Sequence, residues 1–142
     1  MLTLQLACNA AEIPSRRKLR SWAAAALECD ARVTLRIVGG RESRALNRRF
    51  RGRDHATNVL SFVYDPAPAL AGDIAICAPV VVREARAGAI PLEAHYAHLV
   101  VHGMLHLQGH DHLADSEARV MEAREAFILK RLGYADPYGC AQ

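Results

Sequence analysis

Between His102 and His112 the chain carries four histidines, His102, His106, His110 and His112, with Gly103, Gly109 and Asp111 among them. His102 and His106 lie four residues apart on a stretch that reads as a helix. Their rings then project from one face about one turn apart, a spacing that lets both bind one ion. A third ligand has to come from off that row, because continuing it would carry the next ring too far along the axis. Gly109 supplies the break, since glycine adopts the left-handed conformation that ends a helix, and a chain turning back there brings His112 to face the other two. His110, four residues after His106, competes for the third place if the helix continues through Gly109. His98, four before His102, is expected to pack or brace rather than to bind the ion. His55 and His95 carry no usable signal.

Three neutral imidazoles leave a divalent ion, zinc best of all, with its full charge and an open coordination position, whereas structural zinc sites are closed by four ligands. An open site activates water and polarises a carbonyl or phosphoryl oxygen. The spacing also matches the metzincin peptidase pattern H-E-x-x-H-x-x-G-x-x-H, but Gly103 stands where those enzymes carry their general-base glutamate, which argues against a peptidase. Phosphodiester cleavage instead draws on positive charge around the developing phosphorane. Such charge is at hand in Arg41, Arg44, Arg48, Arg49, Arg51 and Arg53, offset locally by Glu42 and Asp54. Arginine suits bidentate phosphate contacts. Arg41, Arg44, Arg48 and Arg49 read as a solvated helix face that attracts RNA generally rather than as placed contacts.

These groups need a scaffold, and hydropathy supplies one. Leu2, Leu4 and Leu6 alternate as in a strand; Pro14 and Ser15 open a helix carrying Leu19, Trp22, Ala23, Ala26 and Leu27. Val33, Leu35 and Ile37 alternate through a strand from Ala31 to Val38, ended by Gly39 and Gly40. A short helix to about Arg51 follows, with Leu46 and Phe50 as its packing side. Asn58 to Tyr64 and Asp73 to Cys77 read as strands around a loop rich in proline and alanine. Val80 to Ala87 reads as helical up to Gly88, and Pro91 opens a mostly apolar helix to about Gln108. Asp115 or Ser116 is expected to cap a last helix whose apolar positions are Val120, Ala123, Phe127 and Leu132, ended by Gly133.

One domain is expected over 1–142, with about four strands and about five helices and the histidine site at the end of a central helix. Its 142 residues are 51% hydrophobic and 23% charged with a net charge of +3, the composition of a folded globular protein. No apolar run approaches the roughly 20 residues needed to cross a bilayer. Cys8, Cys29, Cys77 and Cys140 form no C-x-x-C pair, and reduced thiols in the cytoplasm are expected.

Several blocks together carry a family resemblance: Leu46-Asn47 with Phe50-Arg51-Gly52-Arg53-Asp54, Thr57 to Phe62, Gly72-Asp73-Ile74 with Ile76, the histidine motif, and Gly133 to Tyr138. On these the chain resembles the YbeY family of bacterial ribosomal-RNA maturation factors and metal-dependent endoribonucleases. The resemblance implies an α+β fold, a small mixed sheet covered by helices, with one zinc ion per chain on His102, His106 and His112. It also implies single-strand-specific RNA cleavage in late 16S rRNA 3′-end maturation and ribosome quality control, with the 16S rRNA precursor and the small ribosomal subunit as partners. Arg51 matches the family's arginine near the metal cleft, a candidate catalytic or RNA-binding group. Ala56 and Val63 stand where family members often have proline, a difference in loop stiffness. Asp73 is read equally as bracing a turn or touching substrate and Asp111 as orienting a histidine ligand, neither of them catalytic. Two alternatives stand beside the nuclease: a ribosome-assembly RNA-binding factor with a mainly structural metal, and a metallopeptidase.

Overall fold

In the computed structural model, residues 1–8, 12–66, 68–110 and 114–139 are described. Asp111, His112 and Cys140 lie outside them. Five residues alternate into the first strand, β1 (Leu2–Leu6), and eight into β2 (Ala31–Val38), whose Val33, Leu35 and Ile37 are all buried. Between them α1 (Arg16–Ala25) is capped by the Ser15 side chain and buries Leu19, Trp22 and Ala23. Next come α2 (Gly40–Arg51), β3 (Val59–Asp65), β4 (Leu70–Cys77), α3 (Ala78–Ala87), α4 (Leu92–Leu107) and α5 (Asp115–Arg131). The sheet runs β1-β2-β4-β3, parallel across the first three strands and antiparallel between β4 and β3. The expected α+β architecture of four strands and five helices is present.

The core lies between the sheet and α4. Val33, Leu35, Ile37, Ile74 and Ile76 face Tyr96, Val100, Val101, Met104 and Leu105 of the helix, while α1 and α5 close the flanks. β4 is central and buried on nearly every position, as a strand covered on both sides must be. Gly103 explains how closely α4 lies on it: a Cβ there would sit 3.0 Å from Ile74 Cγ2. Where the metzincin pattern has a glutamate, this chain has a packing contact. Among the described residues no helix is long and apolar enough to cross a membrane.

Three local expectations are revised. α4 begins at Leu92, with Pro91 as its N-cap, and α5 is preceded by Ala114, so neither Asp115 nor Ser116 caps it. On α5, Val120 and Phe127 are exposed, and the buried row is Met121, Glu125, Ile128 and Leu129. On α2, Phe50 is exposed and the buried residues are polar: Ser43 and Asn47. Both have hydrogen-bond partners, so their burial is affordable. Ser43 Oγ donates to the Thr57 carbonyl and accepts from the Thr57 amide, each at 3.0 Å. Asn47 Nδ2 donates to the His55 carbonyl at 2.9 Å. These bonds tie α2 to the segment that enters β3.

Candidate metal centre and its cleft

The helix α4 sets His102 and His106 on one face, as their spacing predicts. Their rings are parallel within 7°, with centroids 6.4 Å apart. Both line a cleft of about 470 Å³ whose other walls are Asn47, Arg51, Arg53, His55, Thr57, Val59, Leu60 and Ser61. Sequence-distant groups therefore meet here: the histidines from α4, the arginines from the end of α2, and the first half of β3. Gly52 ends α2 in the left-handed conformation (φ 69°), which leaves Arg51 as the last helical residue, and its Nη2 donates to the Ser61 carbonyl at 2.8 Å. Arg44, by contrast, is paired with Asp54 at the surface. Arg44, one of the arginines expected as a dispersed basic face, is thus unlike Arg51 in its surroundings.

Behind His102 stands a residue that sequence reasoning missed. Glu125, fully buried on α5, accepts from or shares a proton with His102 Nδ1 at 2.5 Å. Its other oxygen accepts from the Tyr138 hydroxyl at 2.5 Å, and His98 Nε2 lies 3.6 Å from the first. Burial would raise the Glu125 carboxyl, but hydrogen bonds from His102, His98 and Tyr138 outweigh it and hold the pKa at about 2. Burial and the Glu125 carboxylate together push the Tyr138 phenol far above its ordinary range, so it stays a donor. An ionised Glu125 fixes the proton of His102 on Nδ1 and makes Nε2 the lone-pair nitrogen, the arrangement by which carboxylates orient metal-binding imidazoles.

His98, His102 and Glu125 bring ligand atoms within 4.8 Å of one another, close enough to hold an ion between them. Two of those atoms, however, are already joined at hydrogen-bond distance, and His98 Nε2 is also 3.1 Å from the Tyr138 hydroxyl. Zinc would need each ligand at about 2.0–2.2 Å without a bond between them. The contacts as they stand are those of a hydrogen-bonded brace on His102, which lines the cleft on its other side. The donor set on that side fits a divalent ion: two parallel imidazoles one turn apart, one of them backed by a buried carboxylate. His98, expected to pack or brace, touches both Glu125 and Tyr138 and is also a member of the three-residue group that could hold an ion.

Gly109 has φ 101° and follows the end of α4 directly, so the helix breaks where the third-ligand argument requires. His112, placed beyond that break by the same argument, lies outside the described residues, as does Asp111. The competing His110 is engaged elsewhere, with Nε2 2.8 Å from Glu28. Asp73 accepts from the Tyr64 hydroxyl and does not line the cleft. A second cavity, about 520 Å³ between α4 and the C-terminal segment, is walled by Ile90, Pro91, Tyr134 and Pro137 and includes neither His102 nor His106.

Residues 8–133 match the family model described as Endoribonuclease YbeY. A protein of that name from Aromatoleum aromaticum is 56% identical over 140 residues, covering 96% of this chain and 91% of its own length. One from Nitrosomonas eutropha is 53% identical over 137 residues, covering 96% and 97%. Among solved structures, the solution structure of TM1509 from Thermotoga maritima is similar, with a TM-score of 0.64 and 26% identity over 99% of this chain and 100% of that one.

Proposed function

The chain belongs to the YbeY endoribonuclease family, and from that premise we propose that it cleaves single-stranded RNA with one zinc ion held by His102, His106 and His112. In this reading it acts in the cytoplasm, late in 16S rRNA 3′-end maturation and in ribosome quality control, on the 16S precursor and the small ribosomal subunit. The observation that carries the proposal is the meeting of His102 and His106 with Arg51 and Arg53 in one cleft. A metal ion, when bound, supplies Lewis-acid polarisation of the phosphoryl oxygen and activates the attacking group.

The protein's own groups do the rest. Glu125 holds His102 in the tautomer that presents Nε2, and Tyr138 and His98 hold Glu125. Arg51 offers a planar guanidinium whose one Nη is committed to Ser61, which fixes the fork while other N–H groups clamp a phosphate oxygen. That clamp stabilises the charge that builds up on the phosphorane. Arg53, on the same wall, adds attraction for the backbone of the strand.

An assembly-factor reading with a structural metal draws on the same brace, because Glu125 joins α4 to α5 and an ion on His102 would stiffen that joint. The peptidase reading has no such support, since position 103, where the metzincin pattern carries its general-base glutamate, is a glycine packed on Ile74. The experiment is metal content by mass spectrometry for the purified protein and for His106→Ala, beside single-stranded RNA cleavage with and without chelator. About one zinc per chain, lost together with cleavage in the variant, is the expected result. Zinc without cleavage moves the function to assembly, and absence of metal overturns the proposal.

A further inference from the structure

The outer face of the sheet, away from α4, is only partly covered, and the uncovered part is aromatic. Phe62 points to this face opposite Asp73, and Tyr64 hydrogen-bonds Asp73 through its hydroxyl. Phe50 reaches over from the last turn of α2 to Phe62, with ring centroids 5.0 Å apart and planes inclined at 55°. Phe50 is 53% exposed and Tyr64 63%, so neither ring is taken up by the core. Guanidinium groups lie against the rings: Arg49 is 5.1 Å from the Phe50 centroid and Arg51 is 5.8 Å from that of Phe62.

These side chains wall a groove of about 580 Å³ together with Arg36, Glu42 and Leu46. Its two carboxylates are spoken for, Glu42 by Arg36 at 2.6 Å and Asp73 by Tyr64. Arg49 and Arg51 are left as the groove's cations that take no part in the ion pairs of the described residues. The groove is continuous with the metal cleft, because Arg51 and Ser61 line both. Core packing does not explain it: Phe50 and Tyr64 remain outside the buried set.

Aromatic rings with arginines beside them, open to solvent and lying along a basic groove, are how proteins hold single-stranded nucleic acid, because every base offers a π-face whatever its identity. We infer that Phe50, Phe62 and Tyr64, flanked by Arg49 and Arg51, form a base-stacking subsite that holds the single strand one step outside the cleft. This rests on the nuclease reading and deepens it. The subsite gives a physical origin for single-strand preference, since a duplex keeps its base faces stacked inside. It also predicts little sequence selectivity at the stacked position, because stacking reads no donor and acceptor pattern.

The test is binding by the zinc-loaded protein of a labelled 2′-O-methyl single strand, the same strand with abasic positions, and the duplex, followed by fluorescence anisotropy. Phe50→Ala and Tyr64→Ala are each expected to weaken binding of the single strand by about five- to 150-fold. Neither should change affinity for the abasic strand or the duplex by more than about twofold, and Phe50→Trp should bind like the parent. Melting temperatures check that the variants stay folded. Unchanged single-strand affinity in both alanine variants, in a protein that cleaves RNA, overturns the subsite alone and assigns the groove to another occupant such as protein. Binding that depends on Phe50 and Tyr64 without any cleavage supports the subsite and sinks the nuclease reading. A parent protein with no affinity for the strand overturns the subsite as well.

Discussion

Replacing Glu125 with Gln separates the brace from a direct ligand. The side chain keeps its volume in a site with no exposure, and its amide oxygen can still accept from His102 Nδ1. What it loses is the charge that makes the imidazole a better donor to an ion. Substituting such a supporting carboxylate costs about 10–100-fold in metal affinity, or about 1.4–2.7 kcal/mol. A ligand removed outright costs more. Structural zinc binding is worth roughly 10–16 kcal/mol spread over its ligands, so one of them carries about 3–4 kcal/mol, several hundredfold in affinity. The assay is competition for zinc against a chromophoric chelator at fixed pH, with RNA cleavage measured at saturating zinc. We expect affinity to fall by tens of fold and cleavage to recover largely once the site is filled. A fall of several hundredfold or more would place the ion among His98, His102 and Glu125 and refute the reasoning. So would an affinity within twofold of the parent, which would mean that Glu125 supports no ligand.

Other outcomes follow from the same geometry. Arg51→Ala should lower RNA cleavage by roughly 10²–10³-fold while zinc content stays at the parent's value; cleavage within threefold of the parent would remove Arg51 from catalysis. Gly72→Ala should destabilise the fold by about 1–3 kcal/mol or more in urea titration, because a Cβ at 72 would stand 2.5 Å from the Phe62 carbonyl oxygen and 2.8 Å from Leu107 Cδ2. An unshifted midpoint would show that β3 yields more easily than the packing implies. In the metal-free protein, Glu125 has its folded pKa depressed to about 2 from an ordinary 4.5. Its contribution to stability is therefore fully present above about pH 4.5 and is lost as pH falls toward 2, by about 3 kcal/mol. Thermal melts of parent and Glu125→Gln should converge across that window; a constant gap would contradict the assignment.

Much of this site is legible in the sequence because it is built by local rules. A four-residue spacing on a helix puts His102 beside His106 whatever the rest of the chain does, and a glycine at 109 permits the break that φ 101° records. The strand from Ala31 to Val38 shows its alternation openly. What stays hidden depends on partners far along the chain. Glu125 looks like any surface carboxylate on a charged helix, and only its neighbours on α4 and in the segment at Tyr138 make its burial tolerable. For the same reason the periodicity of α5 points to the wrong apolar face: its true inner row includes a charge, and Val120 and Phe127 make a false one. The inner side of α2 follows suit, where Ser43 and Asn47 are buried through bonds to residues 55 and 57 that no periodicity announces. His112 was placed by motif and turn geometry, and that placement belongs with the proposal to be tested.

Arg51 also bears on how the molecule keeps to itself. β3 is the terminal strand of the sheet, and its outer edge is the kind of backbone row onto which a neighbouring copy can add a strand. The Arg51 guanidinium sits on that edge, bonded to the Ser61 carbonyl, with Arg53 on the same wall and a register shift between Val63 and Asp65 further along. Two copies meeting edge to edge would press these cations together and meet a bulged, irregular ladder. The guanidinium that borders the cleft thus also occupies a backbone acceptor on β3 that a strand of a neighbouring copy would need for its own ladder.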